Sequence, residues 1–138
     1  MPPEDIMPGS PSDCLRHAYS DLELARVVRT PMILLEGLCF HAQQAAEKAL
    51  KAVLIANGIP FERIHNLKTL LDLLPQGTLL PPKVQDAASL TDYAVSRRYP
   101  GDFEPITEEE HLEAVQLAEA VVHWAERIIS KDRETGAP

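Results

Sequence analysis

The stretch of this 138-residue chain best supplied with reactive side chains is His41-Ala-Gln-Gln-Ala-Ala-Glu-Lys48-Ala-Leu-Lys51. It is rich in alanine and free of proline, so it reads as helix, and residues three or four apart on a helix share a side. His41, Gln44, Lys48 and Lys51 then line up as a ladder of hydrogen-bond donors. A ladder of that kind can hold a phosphate or a carboxylate. The same spacing also describes a solvated helix face with His41 hydrogen-bonded at its edge, and spacing alone does not choose between the two.

A second set is Arg97-Arg98-Tyr99-Pro100. Two guanidinium groups can grip a phosphate bidentately, and Tyr99 can offer a stacking surface to a base. Their alternative role is to cap helical carbonyls and pair with acids such as Asp102, with Tyr99 as core. Asp21 lies beside the apolar stripe of its own helix, where a buried carboxylate would need a basic partner, and the second helix offers one. His65 precedes a helix cap and reads as part of that turn rather than as a ligand. His111 and His123 have no carboxylate or cysteine companions at metal-ligand spacing, so they read as surface or partly buried, and no metal or cofactor is expected. No glycine-rich phosphate loop and no Gly-x-Ser-x-Gly is present, which removes the standard ATPase and esterase readings.

The elements that must position these groups are helices. Ser12 or Asp13 can cap a first helix carrying Leu15, Ala18, Leu22 and Ala25, ending before Pro31. The second runs from about Leu34 to Ala56 and is stopped by Asn57-Gly58 and Pro60. Its broad apolar face is Leu35, Leu38, Ala42, Ala45, Ala46, Ala49, Leu50 and Val53, and Gln43, Gln44, Glu47, Lys48 and Lys51 fall on the opposite, solvated side. Asn66 can cap a short third helix through Leu67, Leu70, Leu71 and Leu74. A fourth is expected after Pro81-Pro82, with Val84, Ala87, Ala88, Thr91, Ala94 and Val95 inward, ending near Tyr99. Thr107-Glu108-Glu109-Glu110 is a capping box that opens a long fifth helix. Leu112, Val115, Ala118, Val122, Ala125 and Ile129 form its stripe, with Trp124 off to one side. No segment alternates with period two, so the expected fold is all-α, an antiparallel up-and-down bundle of four to five helices.

Length suits a single domain, and the apolar and charged shares of 45% and 25% are those of a globular protein. Residues 1–10 are expected to be a disordered leader, 11–131 the bundle and 132–138 a disordered tail. No apolar run is long enough to span a membrane, and the start lacks a signal-like core, so a cytoplasmic protein is expected. Cys14 and Cys39 read as two reduced core thiols. A net charge of −8 disfavours nonspecific attraction to a phosphate backbone. Any contact with RNA or a nucleotide must come from a local patch, and the second-helix ladder with Arg97 and Arg98 is the one available.

Taken together, Asp21-Leu22-x-x-Ala25-Arg26, Phe40-His41-Ala-Gln43-Gln44-Ala45-Ala46-Glu47-Lys48-Ala49-Leu50-Lys51-Ala52, His65-Asn-Leu67-x-x-Leu70-Leu71 and Tyr93-x-x-x-Arg97-Arg98-Tyr99-Pro100 resemble the HEPN domain, named for higher eukaryotes and prokaryotes nucleotide-binding. The resemblance runs from about residue 12 to 130. It implies a four-to-five-helix bundle, usually homodimeric, that partners a small nucleotidyltransferase, in some cases as a toxin–antitoxin pair. It also implies nucleotide binding, for which His41, Lys48 and Lys51 with Arg97 and Arg98 are the matching positions; Gln44 of the ladder and the stacking surface of Tyr99 complete the candidate nucleotide-binding set. RNA-cleaving members resemble one another in an Arg followed one to two helical turns later by His. Here Arg97 and Arg98 are followed by Tyr99, Pro100, Gly101, Asp102, Phe103, Glu104 and Pro105 instead. The expectation is therefore a noncatalytic binding module that is homodimeric and recognises a nucleotide, a nucleotidyltransferase partner or both. The alternatives are an RNase toxin with a dispersed Arg/His site and a purely structural dimer.

Overall fold

The computed structural model describes residues 8–94 and 105–134, and side chains over 8–93 and 105–131. The elements are α1 (Pro11–Ala25), α2 (Leu35–Ala56), α3 (Leu67–Asp72), α4 (Pro82–Asp86) continuing into a 3₁₀ segment (Ala87–Ala94), and α5 (Glu108–Glu134). There is no strand among the described residues.

Local chemistry sets the helix ends. Ser10 caps α1, its hydroxyl accepting from the Asp13 amide at 3.1 Å, while the Asp13 carboxylate reaches back to the Gly9 amide. The cap therefore lies two positions before the predicted Ser12, because Pro11 is best placed at the first helical position, where no amide is needed. Asn66 caps α3 through the Thr69 amide, as its sequence position predicts. Thr107 and Glu110 exchange hydrogen bonds of 3.1 Å in each direction, which is the capping box read from the sequence. At the other end of α2, Gly58 adopts φ +68. The Ile59 amide donates to Leu54 O at 2.9 Å and the Gly58 amide to Ile55 O at 3.0 Å, the paired bonds of a Schellman stop.

Chain direction follows from side-chain contacts. Tyr19 meets His123 while His111 Nε2 donates to the carbonyl of Ala25, so α1 and α5 are antiparallel. Asp21 bonds both His41 and Lys48, and the short 26–34 connection returns the chain from the end of α1 to the start of α2 packed along it, so α1 and α2 are antiparallel too. Trp124 donates to Leu79 O, and Ser89 to Tyr93 face Glu110 to Leu117, which makes the α4–3₁₀ arm antiparallel to α5. The result is an up-and-down bundle whose third arm is broken, with α3 packed across α2 and the 3₁₀ segment. α2 is the central rod, in contact with α1, α3, α5 and the 3₁₀ segment. Ala42, Ala45, Ala46 and Ala49 are fully buried along it, small side chains that let neighbours come close.

Three expectations need correction. The fourth helix is α for its first turns only: Val84, Ala87 and Leu90 are buried, a spacing of three that suits 3₁₀ geometry, whereas Ala88 and Thr91 are only partly covered. On α5, Leu112 is exposed and Trp124 buried, because α5 packs on two flanks at once: Ala114/Val115, Leu117/Ala118, Val121/Val122 and Trp124/Ala125 are adjacent buried pairs. α5 also runs through Glu134, into the stretch read as a tail. Neither cysteine is in a disulfide, and Cys39 is buried. Among the described residues no helix is long and apolar enough to cross a membrane.

Two glycines near the ends of α2 test the backbone reading. A Cβ at Gly58 or Gly37 would meet nothing within 4 Å, so substitution changes conformational energy alone. Gly58→Ala, forced into positive φ, is expected to cost about 1 kcal/mol, and Gly37→Ala in helical backbone to gain roughly 0.5 kcal/mol, both measured by urea unfolding.

Candidate functional site

Because neighbours cover α2 on several sides, few of its side chains reach water. From residue 41 onward the partly open positions are His41, Gln44, Lys48, Lys51 and Ile55, a single stripe. The predicted ladder is thus assembled, but its donors are already engaged. Beneath the stripe lie two carboxylates, Asp21 from α1 and Glu47 from α2 itself, both buried. Asp21 Oδ1 accepts from His41 Nδ1 at 3.0 Å and Oδ2 from Lys48 Nζ at 2.5 Å. Glu47 Oε2 accepts from Lys51 Nζ at 2.9 Å and His65 Nδ1 at 3.0 Å, and Oε1 from Gln43 Nε2 at 2.9 Å. Gln44 donates to Gln43 Oε1 at 2.7 Å, closing the network. No buried side-chain N or O among the described residues lacks a partner.

The placement of Gln43 and Glu47 corrects the sequence reading, which put them on a solvated face. Both are buried because the covering helices wrap α2 past its apolar face. An unpaired carboxylate there would be costly, and each acid is met by two basic residues instead. For Glu47, burial is the largest influence and pushes its carboxyl up. Hydrogen bonds from His65, Gln43 and Lys51 together outweigh it and hold the group below its ordinary value. At Cys14, burial first and then Asp13 push the thiol up, against the opposing charges of Lys51 and Lys48, which disfavours the thiolate.

The Asp21 centre joins the expected buried acid to a base of the second helix. Asp21 accepts a hydrogen bond from Nδ1–H of His41 and so leaves Nε2 as the ring nitrogen not engaged by Asp21, on a side chain 35% exposed. Such an imidazole can accept or deliver a proton, beside the Lys48 ammonium. The Glu47 centre brings in His65, which the sequence treated as part of a turn. The Glu47–Lys51 pair was legible as an i,i+4 spacing; His65, 18 residues from Glu47, was not.

Next to this second centre is an open groove lined by Lys51, Phe61, Glu62, Arg63 and His65. Lys51 Nζ stands 5.5 Å from the Phe61 ring centroid. The sequence reading passed over Phe61 and Arg63, although the alternation Phe61-Glu62-Arg63-Ile64-His65 interleaves aromatic, basic and acidic groups in a loop. Arg97, Arg98 and Tyr99 lie outside the described residues. Among the described residues no His, Cys, Asp and Glu cluster is arranged to hold a metal ion.

A bundle with a buried central helix, whose one open stripe is ion-paired to two internal carboxylates, defines a small all-α domain with a polar seam. The chain belongs to the HEPN family: the HEPN domain model matches residues 11–128. It is 32% identical over 126 residues, 78% of this chain and 80% of the relative, to "Putative toxin MJ1304" of Methanocaldococcus jannaschii. Among solved structures it is similar to ST0689, an archaeal HEPN homologue, with a TM-score of 0.68 and 29% identity over 87% of this chain and 98% of the other. It is also similar to TT1696 from Thermus thermophilus, with a TM-score of 0.61 and 32% identity over 86% and 91%.

Removing one partner from a buried pair strands the other, so Glu47→Ala is expected to cost about 3 kcal/mol in urea unfolding at neutral pH, with the partly open Lys51→Ala costing less. Because the folded Glu47 carboxyl lies below its unfolded value, its stabilisation is complete above the ordinary carboxyl range and is lost as pH falls through the folded value. Glu47→Gln is expected to flatten that acid limb. An unchanged pH profile in the variant would show that Glu47 does not couple protonation to folding.

Proposed function

We propose that this HEPN protein is a noncatalytic binding module that works as a homodimer and pairs with a nucleotidyltransferase-domain protein in a toxin–antitoxin-like arrangement, with a nucleotide contact as part of that work. The observation that carries the reading is the end of the bundle where α1 hands over to α2. Val28 and Met32 are 87% and 89% exposed there, and Leu24, Val27 and Leu34 are exposed around them. Leu112 at the start of α5 belongs to the same end, since the neighbouring His111 bonds the last residue of α1. Exposed apolar side chains gathered in this way are what a protein interface uses. Glu23 and Glu108, themselves paired with Arg26 and Arg29, rim the patch and can select a partner of complementary charge. The toxin designation of the archaeal relative agrees with a paired role. The internal pairing of Lys48 and Lys51 argues against a free cationic surface for RNA.

A second reading is an RNase toxin, and the Asp21–His41 dyad with Lys48 beside it favours that alternative over an inert dimer. A carboxylate-oriented imidazole can take the proton of an attacking ribose 2′-hydroxyl and return one to the leaving 5′-oxygen, while an ammonium steadies the negative charge that builds on the phosphoryl oxygens.

The two are separated by co-expression with the protein encoded in the adjacent reading frame, and by incubation with total RNA. Stoichiometric co-purification is expected, abolished by Val28→Asp or Met32→Asp with the melting temperature changed by less than about 4 °C. Failure to co-purify would sink the partner reading, and RNA cleavage lost in His41→Ala would put the RNase reading in its place.

A further inference from the structure

The groove of Lys51, Phe61, Glu62, Arg63 and His65 lies on the α2–α3 connection, and of its residues only Lys51 is among those the family resemblance assigns to nucleotide binding. We propose that this groove is where the nucleotide contact is made: a phosphate on Arg63 and Lys51, and a flat base against Phe61, the ligand being of the nucleoside monophosphate class. The inference rests on the nucleotide part of the reading above and names its place.

Three observations support it. Lys51 and His65 are fixed by one buried oxygen, Glu47 Oε2, at 2.9 and 3.0 Å, so both are ordered before any ligand arrives. His65 uses Nδ1 on Glu47, which leaves Nε2, on a side chain 66% exposed, to accept from a sugar hydroxyl. Arg63 is exposed and makes no ion pair or hydrogen bond among the described residues, and a guanidinium without a carboxylate partner is suited to bidentate phosphate contact. Glu62 is the one acid lining the groove, so Arg63 supplies the decisive charge. Elsewhere the case is weaker. The cavity between the 3₁₀ segment and α5 is lined by Asp92, Glu110 and Glu113, which would repel a phosphate.

Isothermal titration of the full chain with adenosine 5′-monophosphate, ribose 5-phosphate and inorganic phosphate at low salt tests the proposal. The monophosphate is expected to bind about tenfold more tightly than ribose 5-phosphate, a preference that Phe61→Leu removes. Arg63→Glu is expected to weaken both sugar phosphates about tenfold or more, while Lys83→Glu on α4 leaves them unchanged. Undiminished monophosphate binding in Arg63→Glu and Phe61→Leu would overturn the groove while the nucleotide reading stands. Equal weakening by Lys83→Glu would reduce the effect to overall charge and overturn it as well. No binding by the unaltered chain at millimolar concentration would end both.

Discussion

Two carboxylates buried against the central helix are the constraint around which the rest of the molecule is arranged. Asp21 and Glu47 are placed where a lone negative charge is costly, so each recruits basic side chains from the one stripe of α2 that reaches water and, for Glu47, from the next connection as well. These bonds tie α1 to α2 and the 57–66 connection to α2. They orient the packing of helices whose apolar contacts, made chiefly by alanine and leucine, are broad and weakly directional.

The same pairing decides what the polar stripe can do. A ladder of free lysines would be a general anion site. Here Lys48 and Lys51 are each held by an internal acid, so the stripe is closer to neutral, and His41 and His65 are held in defined orientations by Nδ1. Two different chemical surfaces result. One is a polar seam with an adjoining groove that ends at Arg63, which has no ion pair among the described residues; the other is an apolar end around Val28 and Met32. They lie at opposite ends of α2, since the first flanks its C-terminal half and the second precedes its N-terminus.

The broken third arm has a similar logic. A 3₁₀ segment repeats every three residues, so Val84, Ala87 and Leu90 can form a narrow line into the space between α2 and α5, which a wider α-helical stripe would overfill. The Leu67 amide is completed there by the Thr91 hydroxyl, which locks α3 to that segment.

Features that depend on neighbours within about one or two helical turns could be read directly from the order of residues. The Asn66 cap, the Thr107–Glu110 box, the Gly58 stop, the apolar face of α2 and the alignment of His41, Gln44, Lys48 and Lys51 were all legible for that reason, and the motifs at 21–26, 40–52, 65–71 and 93–100 carried the HEPN resemblance. The remaining features came from the assembled bundle. Burial of Gln43 and Glu47, the meeting of Asp21 with both His41 and Lys48, the arrival of His65 at Glu47 and the exchange of Leu112 for Trp124 in the core depend on how many helices cover a given side, and that number comes from long-range packing, which local spacing does not encode.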